Sequence, residues 1–474
     1  MDPTSAIPFL QDYTLTMGLE SFDLDAFAAK YAGENRVRHL MYIVEYGINP
    51  QHVFENHDKR ELVVQLAKDA LRLLLSDVEA SKTTTVNTTL YRDLTTKFKE
   101  YLPLDYHPDV TFVDTATRAN AARHERLEQE LNSYKSSMIK ESIRIGYNDL
   151  GDFYYRTGDL ANALRSFIQA RDYCTTEKHM VDMCFNVIKA SIHLKNYTNV
   201  NNYLVKLEQS IAAPSSSSAA ADSDPTVPSQ AAATSGLVHF VTKKYHAAAL
   251  KFVECHVDIG DKYKDVIHAE DIALIGGLCA VATFSRAELK DRVMQNPSFK
   301  AFLELVPRVR ELIAAFYAGH YATSLHILAD VTQELALDVI VAPHVLDLIN
   351  EIRHRAIAQY FNPYLSVDLK VMAVAFNTSV AAMEAELTEL IVANKLQARI
   401  DSHHEVLHAF QPDHRAATFQ KAVDMGRQYA ADTKALVLRM SLVKHNIVVV
   451  NPTSANDRHS RHNHHHHHPP HQDD

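Results

Sequence analysis

AIAQYFNPYLSVDLKVMAVAFNTSVAAMEAELTELIVANKLQARID, Ala356 to Asp401, decides the fold of this chain. It reads as helix, turn, helix and alternating strand, the order of a winged helix. Ser366 is expected to cap a helix running to about Phe376, and Asn377, Thr378 and Ser379 form a turn whose hydroxyl starts the next helix. Val380, Met383, Leu387 and Leu390 then share one helical face. Asn394 suits a left-handed stop, after which Leu396, Ala398 and Ile400 alternate with Gln397, Arg399 and Asp401 at the period of a half-buried strand.

A winged helix often reads DNA, and charge tests that use. The second helix would enter the major groove and meet phosphates through Lys or Arg. Between Val380 and Ala393 the only charged residues are Glu384, Glu386 and Glu389. Backbone phosphates would repel them, which favours protein contact over DNA reading.

The chain has 474 residues and a formal net charge of −10. That charge gives no global field toward nucleic acid or anionic membrane, so proteins are the expected partners. Cys174, Cys184, Cys255 and Cys279 show no CxxC spacing and lie in apolar helical contexts, as expected of reduced, packed thiols in the nucleus or cytosol. Nothing near Met1 resembles a signal peptide, and the apolar run Ile272 to Phe284 is too short for a membrane span and reads as a buried helix.

Outward from the winged helix, helical periodicity recurs in pairs. In Ser142 to Cys174, Leu150, Phe153 and Tyr154 face Leu160, Ala163, Leu164, Phe167 and Ala170 across a turn at Gly158, with Asp159 as cap, as in tetratricopeptide-type hairpins. Phe302, Leu305, Val309, Leu312 and Phe316 continue the pattern at helical spacing. The segment Ala213 to Gly236, APSSSSAAADSDPTVPSQAAATSG, has no apolar period and reads as a disordered insertion. Beyond the wing, Ala416 to Ile447 forms one long helical pattern with Phe419, Val423, Leu436, Met440 and Val443 near one face. The expected fold is mainly α. It comprises an N-terminal helical arm over 1–140, TPR-like repeats over 141–212, the insertion over 213–236, and further repeats over 237–344. A winged helix over 345–414, a terminal helix over 415–448 and a disordered His-rich tail over 449–474 complete it. Leu396, Ala398, Ile400, Leu436, Met440 and Val443 are the candidate subunit-contact residues.

One catalytic pattern competes. His404, Glu405 and His408 spell HExxH, and His414 completes a metzincin-like ligand spacing. Zinc chemistry needs both histidines on one helical turn, about 6 Å apart, and a glycine where Gln411 stands. The segment instead falls where the wing belongs, and strand residues four apart are separated by about 13 Å. With 28 histidines in the chain, chance matches are common. A zinc metalloprotease is therefore the lesser alternative, and no catalytic, metal or cofactor-binding residue is assigned.

A helical array, an acidic winged helix and a long terminal helix resemble the PCI architecture shared by the proteasome lid, the signalosome and translation initiation factor three. Lys140 to Ile192, Ile272 to Leu289, Ser298 to Ile313 and Ala356 to Ile391 are similar to the subunit 1 family of the COP-nine signalosome, with the matching proteasome lid family as the alternative. The resemblance implies a non-catalytic scaffold, nuclear and cytoplasmic, in the complex that removes a ubiquitin-like modifier from cullin-RING ubiquitin ligases (deneddylation). It also implies winged helices associating side by side with other PCI-domain subunits, terminal helices entering a shared bundle, and isopeptidase chemistry in a different subunit with an HxHx7SxxD zinc site. HxH occurs here only in the tail, with no such serine and aspartate after it. The insertion and the His-rich tail depart from the family pattern.

Overall fold

The computed structural model describes residues 22–48, 57–80, 86–102, 110–212, 226–410 and 414–447. The fold is mainly α. An N-terminal arm of helices Leu24–Ala29, Gly33–Ile48, His57–Ala80, Thr88–Lys97 and Val110–Ser137 surrounds a core that includes Leu40, Ile43, Leu71, Leu74, Tyr91 and Leu94. Leu337, distant in sequence, belongs to the same core and draws the arm to the array.

The expected hairpin is present as helices Lys140–Arg156 and Leu160–Ala170. Gly158 turns the chain at φ 83°, and the Asp159 carboxylate accepts from the Asn162 amide at 3.2 Å. Leu150, Phe153, Ala163, Phe167 and Ala170 are buried between them and their neighbours. The second pair, Glu177–His193 and Tyr197–Ala212, follows, with Thr176 capping its first helix.

The expected insertion is corrected over its C-terminal part. Residues 213–225 lie outside the described residues, but Thr226–Val241 is a helix in which Ala231, Ala233, Thr234, Ser235 and Gly236 are buried. Small side chains serve close approach here: a Cβ on Gly236 would sit 2.8 Å from the Phe252 ring of the paired helix Tyr245–Val253. Helix Ala269–Thr283 follows and is buried almost throughout, which explains its uniformly apolar sequence.

The apolar spacing from Phe302 to Phe316 spans two helices, Pro297–Leu305 and Pro307–Ala318. Pro307 disfavours helical geometry at Val306, whose backbone leaves the helix at φ −126° and ψ 81°, and Leu305 is left exposed. Helices Tyr321–Leu335 and Val345–Phe361 complete the array.

The winged unit begins with a short strand that the pattern did not disclose, β1 (Ser366–Asp368). Asp368, not Ser366, caps the next helix, Leu369–Ala375, by accepting from the Lys370 amide at 2.8 Å. Asn377 turns at φ 51°, Ser379 caps helix Val380–Val392, and Asn394 turns at φ 55°. Strands β2 (Ala398–Asp401) and β3 (Val406–Ala409) form the wing. The sheet order is β1-β3-β2, with Val367 opposite Leu407 in an antiparallel register. Met383, Leu387 and Leu390 are fully buried, each contributing about 2 kcal/mol of transfer free energy.

A second compact unit comprises, among the described residues, Gln397–Arg399, Ala409, Phe410 and 414–447. Within it the Phe410 amide donates to the Gln397 carbonyl at 3.0 Å, the Arg399 guanidinium lies 5.3 Å from the Phe410 ring centre, and helix His414–Lys444 follows.

Candidate interaction surfaces

The acidic helix of the winged unit is directed inward by one of its glutamates. Arg353, on helix Val345–Phe361, is only 4% exposed at its side chain, and its Nε donates to both Glu386 carboxylate oxygens at 2.7 and 3.0 Å. Glu384 accepts from the Ser402 hydroxyl in the wing. Tyr321 and Tyr360 hold Phe376 between them, with ring centres 5.7 and 5.6 Å from it. The winged unit is thereby fixed on the last array helices by an ion pair and an aromatic cluster. Sequence reading found the acidic face but gave no sign that Glu386 had an internal partner, because Arg353 lies 33 residues away.

The HExxH residues sit in the wing, as their position after an alternating strand implies. His404 is in the turn between β2 and β3, where its ring nitrogen lies 2.7 Å from the Asp401 carboxylate. That carboxylate also accepts from the His403 and His404 amides, and the contacts with His404 hold its pKa below the ordinary range. Glu405 adopts φ 56° and pairs with Lys370 at 2.7 Å, while His408 is exposed on β3. These three residues share no helical turn, so the geometry of a zinc-protease helix is missing. Among the described residues no group of three or more His, Cys, Asp or Glu is arranged to hold a metal ion. None of the described helices is long and apolar enough to cross a membrane.

Of the six expected contact residues, Leu396 and Ala398 are buried, which is a correction. Alternation identified a shared strand face, and that face is turned inward instead of outward. Ile400 is half-buried. On the terminal helix Leu436, Met440 and Val443 are 58%, 64% and 76% exposed, respectively. They continue a seam that the sequence carries: Phe419, Ala422, Gly426, Tyr429, Thr433, Leu436, Met440 and Val443 recur at alternating spacings of three and four residues. That is the a/d pattern of a helix packing at a shallow angle against other helices. Small residues (Ala422, Gly426, Thr433) alternate with large ones (Phe419, Tyr429, Leu436) before the seam ends in Met440 and Val443, and all eight positions are exposed. The winged unit adds exposed apolar residues of its own at Tyr364, Leu365, Val371 and Val374.

Comparison with known proteins follows the same division of the chain. Residues 109–292 match the family described as 26S proteasome subunit RPN7, residues 328–411 match the PCI domain, and residues 415–440 match the COP9 signalosome complex subunit 1, C-terminal helix. COP9 signalosome complex subunit 1 of Arabidopsis thaliana is 42% identical over 426 residues, covering 90% of this chain and 91% of that protein. Subunit 1b of Drosophila melanogaster is 44% identical over 341 residues, 72% of this chain and 64% of that protein. Subunit 1 of Emericella nidulans is 30% identical over 443 residues, 90% and 83%. With the array, the winged helix and the terminal helix all matched, the chain belongs to the COP9 signalosome complex subunit 1 family of PCI-domain proteins.

Proposed function

We propose that this chain is a non-catalytic scaffold of the signalosome, holding other PCI-domain subunits while a different, zinc-bearing subunit removes the ubiquitin-like modifier from cullin-RING ligases. The exposed a/d seam of helix His414–Lys444 carries this reading. An apolar seam of such length is a surface for neighbouring helices. The winged helix serves as a second protein contact, and its acidic helix, engaged with Arg353 and Ser402, does not enter DNA. Action in both nucleus and cytoplasm is part of the proposal. A proteasome-lid-type scaffold is the second reading, favoured by the match over residues 109–292 but not by the terminal-helix match.

The test is assembly. Leu436→Asp with Met440→Asp places carboxylates in the apolar seam, where burial without partners is costly. The double variant is expected to retain the circular dichroism of the wild-type chain and to lose co-purification with signalosome subunits. Normal assembly would mean that the helix serves only its own fold.

A further inference from the structure

The N-terminal arm meets the array through a buried chain of polar groups that the scaffold reading does not use. Tyr31, just after helix Leu24–Ala29, points its hydroxyl at two carboxylates: Asp271 Oδ1 at 3.2 Å and Asp338 Oδ2 at 3.4 Å. Its ring stacks on His39, with centres 3.8 Å apart and planes 11° from parallel. The His39 Nδ1 lies 2.8 Å from the Asn35 carbonyl and must donate to it, which turns Nε2 toward Asp338 Oδ1 at 3.6 Å, an ion-pair distance. Asp338 is further held by the Ile340 and Val341 amides at 2.7 and 3.2 Å. Asp271 Oδ2 accepts from the His268 amide at 3.2 Å. Asn35 completes the seam by donating to the Lys264 and Val266 carbonyls. Tyr31, His39, Asp271 and Asp338 are all buried.

Proton counting makes the arrangement informative. A phenol has one hydrogen to donate, and two ionised carboxylates only accept. With both aspartates charged, one of the two oxygen–oxygen contacts of Tyr31 would contain no hydrogen. A proton on Asp271 Oδ1 resolves this, because Asp271 then donates to Tyr31 and Tyr31 donates to Asp338. We propose that Tyr31, His39, Asp271 and Asp338 share this proton and form a latch that holds the N-terminal arm closed on the array and loosens as pH rises.

The electrostatic surroundings support that assignment. Burial, and then the neighbouring Asp338 charge, raise Asp271 to about 7 against the pull of His39, the His268 amide and Lys30. Burial also pushes Asp338 up, but His39 and the Ile340 and Val341 amides outweigh it and hold that carboxyl below its ordinary range. Among the described residues, further titratable groups facing the cluster are Lys30, paired with Glu270 at 2.6 Å, the His268 ring, which accepts from the Glu270 amide, and Tyr42, raised by burial and in part by Asp338. A carboxyl held above its unfolded value favours the closed state fully at acid pH, and that contribution is lost as pH rises through about 7. Asp338, held low, contributes above the ordinary carboxylate range and is lost only in stronger acid. Closure is therefore firmest between the ordinary carboxylate range and neutrality.

Amide hydrogen exchange on the full chain tests the latch. After correction for chemical exchange, and with helix Val380–Val392 as internal reference, protection of Gly33–Ile48 is expected to fall roughly 30-fold from pH 5.5 to pH 8. Asp271→Asn keeps an acceptor and removes the titrating charge, so it should flatten this dependence. A wild-type arm whose protection does not change with pH overturns the proposal, as does an Asp271→Asn variant that keeps the wild-type slope. Should Asp271→Asn fail to fold, Asp338→Asn takes its place. It removes the neighbouring charge, so its slope must shrink, and an unchanged slope rejects the latch. If neither variant folds, the wild-type profile decides alone.

Discussion

Removing the Glu386 carboxylate should release the winged unit from the array. Arg353 is 4% exposed and Glu386 19% exposed at their side chains, and the guanidinium Nε is shared between both carboxylate oxygens. Breaking a buried pair by deleting one member costs about 3–5 kcal/mol, because the remaining charge loses an ion-pair contact without regaining water. The partial exposure of Glu386 favours the lower end. About 3 kcal/mol corresponds to roughly 150-fold in the opening equilibrium. The perturbation is Glu386→Ala, and the assay is amide exchange in Val380–Val392 with the arm helices as reference. Arg353→Met with Glu386→Leu removes both charges at similar volume and should recover to within about 1 kcal/mol of wild type. Exchange in Glu386→Ala within fivefold of wild type would refute the reasoning. So would a double variant that opens as readily as the single one, since the cost would then come from lost packing and not from the broken ion pair.

Two further expectations test a segment that the sequence misreads and a motif that it imitates. Gly236→Val places methyl groups where even a Cβ would lie 2.8 Å from Phe252, so overpacking should cost about 2 kcal/mol in denaturant unfolding; an unchanged midpoint would restore the reading of that segment as a loop. His404→Ala with His408→Ala, in a chain ending at about Asn451, should leave circular dichroism and zinc content as in the matching parent chain, because the two residues belong to a turn and a strand. Stoichiometric zinc lost on this substitution would revive the metalloprotease alternative.

The winged helix was legible because its helices carry periodic apolar residues and its turns carry Asn at left-handed positions. Strand β1 was not, since three residues are too few to show alternation and Ser366 imitates a cap. Period two placed Leu396 and Ala398 on a common face, yet an alternating strand does not say which face the rest of the fold will cover. Thr226 to Gly236 was misread for a related reason. Alanine, serine, threonine and glycine compose flexible linkers and tightly apposed helices alike, and only the opposing Phe252 distinguishes them. Long-range pairs such as Arg353 with Glu386 and Tyr31 with Asp338 have no local signature at all. By contrast, the terminal seam needs no tertiary information, because its three-four spacing is a property of the helix alone.

That seam also explains a compositional oddity. A solvated helix gains stability from Ala, Glu, Lys or Arg, and Gly costs about 1 kcal/mol relative to Ala. Helix His414–Lys444 nevertheless carries Gly426 and Thr433 on the same stripe as Tyr429 and Leu436, at positions exposed to solvent. Neither its own propensity nor its own solubility accounts for small and large apolar residues sharing one stripe. Close approach of another helix accounts for both: Ala422 and Gly426 admit a backbone, while Leu436, Met440 and Val443 supply the area that binding must bury. On the proposed scaffold reading, the helix trades intrinsic stability for a surface that another helix would cover. Under the proposed scaffold role, partner binding is what this stripe would serve.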